Sequence, residues 1–198
     1  MRWQGRLIVC GLTVILWAVG ICARAGEWRE DFNKSLAEYR WWKVKGSIAV
    51  SKGWLVLTST GKNGGGAEIQ SRPEFKYRTL EVKASSKNWN SDTSISIEIW
   101  SSSGHRGIVV NNGCLGILDT SKPGENEIYK DIPGWDALKG KPHVFKFAWV
   151  KGKVDLYIDG KLAVSYAGSL VPNQPLKVRL CASNDFADQL RVDYVSVK

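Results

Sequence analysis

Histidine and cysteine are scarce in this sequence, and long runs of like charge are absent. Its 198 residues include two histidines, His105 and His143, and four cysteines, none of them at the spacing of a zinc site. The formal net charge is +9, yet the basic residues are spread along the chain without a basic run. These features argue against a zinc protein and a nucleic-acid-binding protein. They fit a solvated basic surface, or one attracted to an acidic polysaccharide or an anionic cell surface.

The N-terminus has the three parts of a secretory signal peptide. Two arginines supply a positive start, residues 7–21 form an apolar run of 15 residues, and residues 23–25 read Ala-Arg-Ala, a small-x-small cleavage site. A membrane-spanning helix needs about 20 apolar residues, more than this run provides. We therefore predict a signal peptide over residues 1–25, a mature domain over residues 26–198 with a net charge of +6, no membrane span after cleavage, and export from the cell.

Cleavage would leave two cysteines, Cys114 and Cys181. An even pair in an oxidising compartment permits a disulfide, which for so long a loop would stabilise the fold by roughly 4 kcal/mol at best. Two buried thiols are the alternative, because nothing in the sequence fixes their separation. Both interpretations remain open at this stage.

Apolar and polar residues alternate along the mature chain, whereas no segment shows a helical apolar repeat over three turns. The clearest case is Ser-Ile-Ser-Ile-Glu-Ile-Trp at 94–100, where the three isoleucines share one face and Glu98 and Trp100 share the other. Similar runs occupy residues 54–57, 79–83, 143–150, 153–158, 176–180 and 190–197. Turn signals such as Asn112-Gly113 and Asp159-Gly160 separate the runs. This pattern predicts one all-β domain, a sandwich or jelly roll.

Several segments carry a more specific pattern. Residues 143–166, HVFKFAWVKGKVDLYIDGKLAVSY, contain a His-aromatic-x-aromatic-x-Trp strand, a short turn and a strand ending in Asp-Gly. This segment resembles the concanavalin A-like lectin/glucanase superfamily, most closely its laminarinase and lichenase β-glucanases. Residues 68–85, residues 192–198 and Asp31-Phe32-Asn33 are similar to further strands of that family. The resemblance covers nearly all of the mature domain and implies a concanavalin A-like β-sandwich (jelly roll) of two antiparallel sheets.

The catalytic strand of the resembled family is where this sequence departs from it. Retaining β-glucanases need two carboxylates about 5 Å apart, and the family places them on one strand as Glu-x-Asp-x-(x)-Glu. Gly107, Val109 and Asn111 stand at the matching positions, and no acid occurs between Glu98 and Asp119. The family's reaction therefore cannot run here by its usual mechanism.

A secreted, non-catalytic carbohydrate-binding domain is the interpretation we prefer, with a polysaccharide or other glycan, acidic or neutral, as its partner. The mature chain has eight tryptophans, whose flat rings can pack on sugar faces. Trp149 is expected in the core, one of Trp41 and Trp42 must face outward, and Trp89 and Trp135 should either rim a cleft or plug the ends of the sandwich. The candidate sugar-binding residues are Glu81, Trp89, Glu98, Trp100, His105, Asn111, Trp135 and Arg179.

Two other functions stay open. A polysaccharide lyase or an atypical hydrolase would draw on Tyr77, His105, Arg106 and Arg179, or on a Glu81/Glu98 carboxylate pair, although no contiguous lyase motif is present. A structural or adhesive role at the cell surface would instead leave the tryptophans buried and the sheet face unremarkable.

No cofactor is required by any of these interpretations. The resemblance does imply a structural calcium ion, held in the related β-glucanases by backbone carbonyls near the N-terminus and an aspartate of the last strand. Asp193 matches that aspartate, and hard oxygen ligands suit calcium. A salt bridge from Asp193 is the alternative.

Overall fold

The alternating segments form strands, as the sequence predicts. A computed structural model of the protein describes residues 27–61, 65–89, 93–101, 104–120, 127–183 and 186–198. The predicted signal peptide, residues 1–25, lies outside these ranges. Within them, no helix has the length and apolar character needed to cross a membrane.

Eight of the strands pair into a first sheet. They are β1 (Trp28–Glu30), β3 (Ser47–Ser51), β4 (Trp54–Thr60), β6 (Thr79–Ser86), β11 (His143–Val150), β12 (Lys153–Ile158), β13 (Lys161–Ala167) and β15 (Ala187–Val197). Their order is β13-β12-β11-β6-β15-β4-β3, and β1 pairs with β15. The strands that the sequence predicts at 143–150 and 153–158 have the observed bounds of β11 and β12.

Seven strands form the second sheet, which carries the candidate site. They are β2 (Trp41–Lys45), β5 (Ala67–Ser71), β7 (Ser94–Ser101), β8 (Gly104–Asn111), β9 (Cys114–Asp119), β10 (Glu127–Asp131) and β14 (Lys177–Ala182). Their order is β10-β9-β8-β7-β14-β5-β2. Every pairing in the first sheet and in the second sheet is antiparallel, so the predicted all-β fold of two antiparallel sheets is confirmed.

The Asx-Gly turns connect neighbouring strands where the sequence places them. Asn112 and Gly113 have φ values of 39° and 82°, and Asp159 and Gly160 have φ values of 49° and 78°. Two consecutive positive φ angles are typical of the two-residue hairpin turn that matches the twist of antiparallel strands. These turns set the register of β8 with β9 and of β12 with β13.

The core lies between the sheets and contains most of the residues that alternation assigned to it, whereas Ile99, expected beside Ile95 and Ile97, is half-buried at its edge. Ile95 and Ile97 of β7 are buried, as is Trp149 of β11, whose indole N–H donates to the carbonyl of Pro172 at 3.0 Å. Because inward and outward side chains alternate along a strand, burying these isoleucines places Ser96 and Glu98 on the opposite side of the second sheet. We call that side the outer face.

Candidate functional site

A buried charge cluster occupies the outer face near the middle of the second sheet. Arg179 of β14 donates from Nε and Nη2 to the two carboxylate oxygens of Glu68 on β5, both at 2.6 Å. Its Nη1 donates to Glu98 of β7 at 2.8 Å. Ser96 donates to the same Glu98 oxygen at 2.7 Å, and His105 of β8 hydrogen-bonds to the other oxygen. Four neighbouring strands thus contribute one side chain or more to one polar network.

The cluster holds Glu98 in its ionised form although the side chain is 2% exposed. Burial raises the pKa of Glu98, but the hydrogen bond from His105 and the positive charge of Arg179 outweigh it and lower that pKa to about 2. Burial likewise acts to lower the pKa of Arg179, yet its bonds to Glu68 and Glu98 leave that pKa above the usual range. A retaining glycosidase needs one carboxyl group that can donate a proton, and Glu98 does not fit that role.

The Arg179 guanidinium stands between the two carboxylates of the cluster. Glu68 and Glu98 lie on β5 and β7 with β14 between them, and the Arg179 guanidinium bridges the two carboxylates. The guanidinium thus occupies the space between the two carboxylates and holds both in place.

Two depressions meet at Arg179. One, of about 470 Å³, is lined by Trp42, Val44, Glu68, Gln70, Ile99, Lys177 and Arg179. The other, of about 260 Å³, is lined by Ser94, Glu98, His105, Val109, Asn111, Leu118, Glu127, Tyr129, Arg179 and Cys181. Each contains one exposed aromatic ring, since Trp42 is 55% and Tyr129 is 53% exposed. We call them the Trp42 depression and the Tyr129 depression.

Strand β8 presents alternate residues to the outer face and contains no acidic residue. His105, Val109 and Asn111 line the Tyr129 depression. Gly107 lies in the same alternate series along β8, so it faces the outer face with them. A Cβ at Gly107 would collide with the Cβ of Glu98. An acidic side chain is therefore excluded at Gly107 unless β7 and β8 shift apart.

Four of the predicted sugar-binding residues come together on the outer face. Glu98, His105 and Arg179 belong to the charge cluster, and Asn111 lines the adjoining depression. Trp100 lies on β7 opposite His105, but its side chain is outside the described part of the chain. Sugar binding by these residues stays a prediction.

The prediction is wrong in placing Trp89 and Trp135 at the rim of a cleft. They are 1% and 8% exposed, and their rings pack 5.4 Å apart, with Trp89 also 5.2 Å from the ring of Phe145. Both rings fill one part of the core, as in the plugging role that the sequence left open. Buried in this way, they have no surface for a glycan.

The prediction is also wrong in grouping Glu81 with Glu98. Glu81 lies on β6 in the first sheet, where it accepts a hydrogen bond from the Tyr194 hydroxyl at 2.7 Å. Alternation predicts the face of a strand on which a side chain lies, but not the sheet that the strand joins. The two carboxylates lie on different sheets and cannot act as a hydrolytic pair.

The side chains considered for a lyase are also dispersed. Tyr77 packs edge-on against Trp149 with ring centroids 5.6 Å apart, and Arg106 forms an ion pair with Asp119 at 3.0 Å. Arg106 also alternates with His105 along β8 and so points to the opposite side of the sheet. Of this set, His105 and Arg179 reach the outer-face cluster.

No disulfide joins Cys114 and Cys181. They lie on β9 and β14, in one cross-strand series with Asn111 and Ser94 between them. Three strand spacings amount to about 14 Å, twice the Cα separation of about 7 Å that a disulfide can span. The two cysteines are therefore thiols, of which Cys181 is buried, as the alternative expected, and Cys114 is half-buried.

Asp193 forms an ion pair with Lys83 at 2.7 Å. Its carboxylate already faces a cation, and among the described residues no three His, Cys, Asp or Glu side chains gather as metal ligands. The ion pair agrees with the salt bridge that the sequence left open as the alternative, and the implied calcium, which would also draw on backbone carbonyls, stays a prediction.

Trp42, Glu68, Gln70 and Tyr129 belong to the outer face but are absent from the residues that the sequence proposed. Trp42 follows Trp41, which is 1% exposed, so alternation alone would have placed one of the two rings outside without saying which. Glu68 and Gln70 alternate with the buried Ile69 on β5. This alternation in the sequence could have placed both side chains on the outer face. Tyr129 lies on a short exposed strand with no apolar alternation.

The fold of this chain matches that of solved β-glucanases and of a transglycosylase, whereas no family model and no curated protein sequence matches it. A β-1,3-1,4-glucanase (lichenase) from a mouse hindgut metagenome superposes with a TM-score of 0.68 at 16% identity, covering 87% of this chain and 98% of its own. The β-glucanase of Bacillus licheniformis gives 0.67 at 16% identity, with 87% and 98% covered. A Crh5 transglycosylase in complex with NAG gives 0.65 at 17% identity, with 87% and 83% covered. The predicted likeness to the β-glucanases is thus confirmed at the level of the fold.

Proposed function

We propose that this protein is exported and that its outer face binds a carbohydrate chain without cleaving it. The observation that carries the proposal is the exposed ring of Trp42 beside a rigid cluster of fixed donors and acceptors. An indole face offers the apolar, flat surface on which a pyranose packs. Gln70 and the partly exposed guanidinium of Arg179, which line the same depression, would orient the sugar's hydroxyls.

Rigidity of the cluster supports recognition, because groups that are already ordered lose little conformational entropy when a ligand binds. Arg179 restrains Glu68 and Glu98 through three hydrogen bonds of 2.6–2.8 Å. The names of the structural neighbours, a lichenase and a transglycosylase bound to NAG, support a carbohydrate as the ligand class.

Absence of catalysis is proposed from strand β8 and from Glu98. Gly107, Val109 and Asn111 stand where the family's acids would be, and the low pKa of Glu98 keeps that carboxylate from donating a proton. A domain with this face would retain a polysaccharide and leave it intact.

Substituting Trp42 tests the proposal. The protein would be screened against a glycan array and, on each hit, by affinity electrophoresis together with a reducing-sugar and an unsaturated-uronate assay. Trp42→Ala should weaken binding about 30-fold, corresponding to about 2 kcal/mol for a central aromatic contact. Tyr39→Ala is the matched control, since Tyr39 is another exposed aromatic, 75% exposed, outside both depressions.

Three results would count against the proposal. Turnover of any polysaccharide would show an enzyme, and no binding to any glycan would favour the structural or adhesive role. Equal binding by Trp42→Ala and the unsubstituted protein would move the site away from this face.

A further inference from the structure

One series of directly opposed residues crosses the second sheet from edge to edge. It runs through all seven strands as Trp42, Gln70, Arg179, Ser96, Val109, Gly116 and Tyr129. Directly opposed residues of antiparallel strands project from the same face. We call this series the cross-strand row, and it passes through both depressions.

The row has an aromatic ring at each end. Trp42 lies on the edge strand β2 and Tyr129 on the edge strand β10, and both rings are more than half exposed. Six strand spacings of about 4.8 Å separate the two strands, a path of about 29 Å across the sheet. A single sugar or a disaccharide cannot reach from one ring to the other.

Gly116 explains how the Tyr129 ring is placed on the sheet. A Cβ at this position would stand 2.9 Å from Cε1 of Tyr129 and 2.8 Å from Cγ1 of Val109. The ring can therefore lie over the β9 backbone because Gly116 has no side chain. A ring that lies over a strand in this way presents a flat side to a ligand.

The centre of the row offers less to a ligand than its ends do. Ser96 donates to Glu98, Arg179 bridges two carboxylates, Val109 is apolar and 7% exposed, and Gly116 has no side chain. Glycosidases concentrate their contacts around the scissile sugar, whereas the exposed apolar area of this row lies at its two edges.

We propose that Trp42 and Tyr129 are two anchors for one linear carbohydrate chain that crosses the strands. This inference rests on the proposed function and adds the kind of carbohydrate, an extended chain recognised along its length rather than a terminal sugar. When one ring holds the chain, the other contact becomes intramolecular, so the two contacts reinforce each other once the chain can reach both. Affinity should rise steeply at one chain length.

The test measures affinity along an oligosaccharide series, from the disaccharide to the octasaccharide, prepared from the polysaccharide that the protein retains. For the longest chain, Tyr129→Ala should reduce affinity tenfold or more, to the level of a short chain. For chains too short to reach both rings, Tyr129→Ala should leave binding at Trp42 unchanged. Tyr129→Phe keeps the ring and should retain the affinity, which separates loss of the anchor from loss of folding, and Tyr39→Ala is again the control.

Two results would overturn the inference while leaving the proposed function intact. One is that the protein binds short and long chains with the same affinity and that Trp42→Ala abolishes binding of both. The other is a long-chain affinity that Tyr129→Ala does not change. Failure of every oligosaccharide and polysaccharide to bind would instead overturn both proposals.

Discussion

Glu98 is a buried carboxylate whose ionised form depends on its neighbours on the outer face. Its pKa is lowered from an ordinary value of 4.5 to about 2. A carboxyl group with a lowered folded-state pKa stabilises the fold above the ordinary value, and this contribution is lost as the pH falls from about 4.5 to about 2. A difference of this size corresponds to about 3 kcal/mol of unfolding free energy.

Glu98→Gln should therefore make unfolding less sensitive to acid. Urea unfolding at a series of pH values should show that the fall in unfolding free energy between pH 4.5 and 2 is smaller in this variant by up to about 3 kcal/mol. Glu38 is exposed, so Glu38→Gln should show the same fall in unfolding free energy as the unsubstituted protein. A Glu98→Gln profile parallel to that of the unsubstituted protein would contradict this account of the cluster.

The pair Trp41-Trp42 shows what the sequence predicts about a single residue and what it does not. Alternation requires one ring inside and one outside, and the structure buries Trp41 and exposes Trp42. Which of the two rings is buried depends on packing against the first sheet. Trp28 of that sheet has its ring 5.3 Å from the ring of Trp41. Such contacts join residues distant from β2 along the chain and in other layers.

At the scale of elements, strands were predictable wherever one face is buried. The period of two is regular in β7, β11 and β12 because alternate residues there face the core. It is weak in β10, whose five residues are exposed or half-exposed. The sheet to which β6 belongs follows from pairing with β11 and β15, which local sequence does not encode, and this is why Glu81 was misplaced.

Strand β8 gives a prediction at the same scale. Gly107 lies opposite Glu98, and a Cβ there would also stand 3.0 Å from the Cα of Glu98 and from the carbonyl oxygen of Ile97. Gly107→Ala should therefore lower the unfolding free energy by about 1–3 kcal/mol, the range of overpacked sites, as measured by urea unfolding. It should also shift the amide NMR signals of β7 and β8.

The control for this substitution is Gly152→Ala, in the turn between β11 and β12. Gly152 has a φ of 71° and no atom within 4 Å of its added Cβ, so its cost of about 1 kcal/mol comes from the backbone alone. If β7 is crowded by a side chain at position 107, NMR signals should shift across β7 and β8 in Gly107→Ala. In Gly152→Ala the shifts should be confined to the turn. An undisturbed β7 in Gly107→Ala would show that an acid can be accommodated on β8 after all.

At the scale of the whole molecule, net charge is a poor guide to the ligand of the outer face. The chain carries +9, which by itself favours an acidic polysaccharide. Among the residues that the structure describes, however, the two depressions are lined by two cations, Lys177 and Arg179, against three carboxylates, those of Glu68, Glu98 and Glu127. Arg179 is bonded to two of these carboxylates, and Lys177 lies 3.9 Å from Glu74. The positive charge of the chain therefore lies mainly elsewhere.

Binding of a neutral polysaccharide at the outer face should consequently be almost independent of salt. Between low salt and about 0.5 M, where screening shortens the Debye length to a few ångströms, its affinity should change less than about twofold. The same polysaccharide backbone carrying uronate groups should bind more weakly at low salt, since added carboxylates would face the carboxylates of the depressions. Affinity electrophoresis of the two polysaccharides at both salt concentrations measures this. Tighter binding of the uronate form at low salt, lost at high salt and lost in Trp42→Ala, would instead mean that the basic surfaces around the outer face determine which glycan is bound.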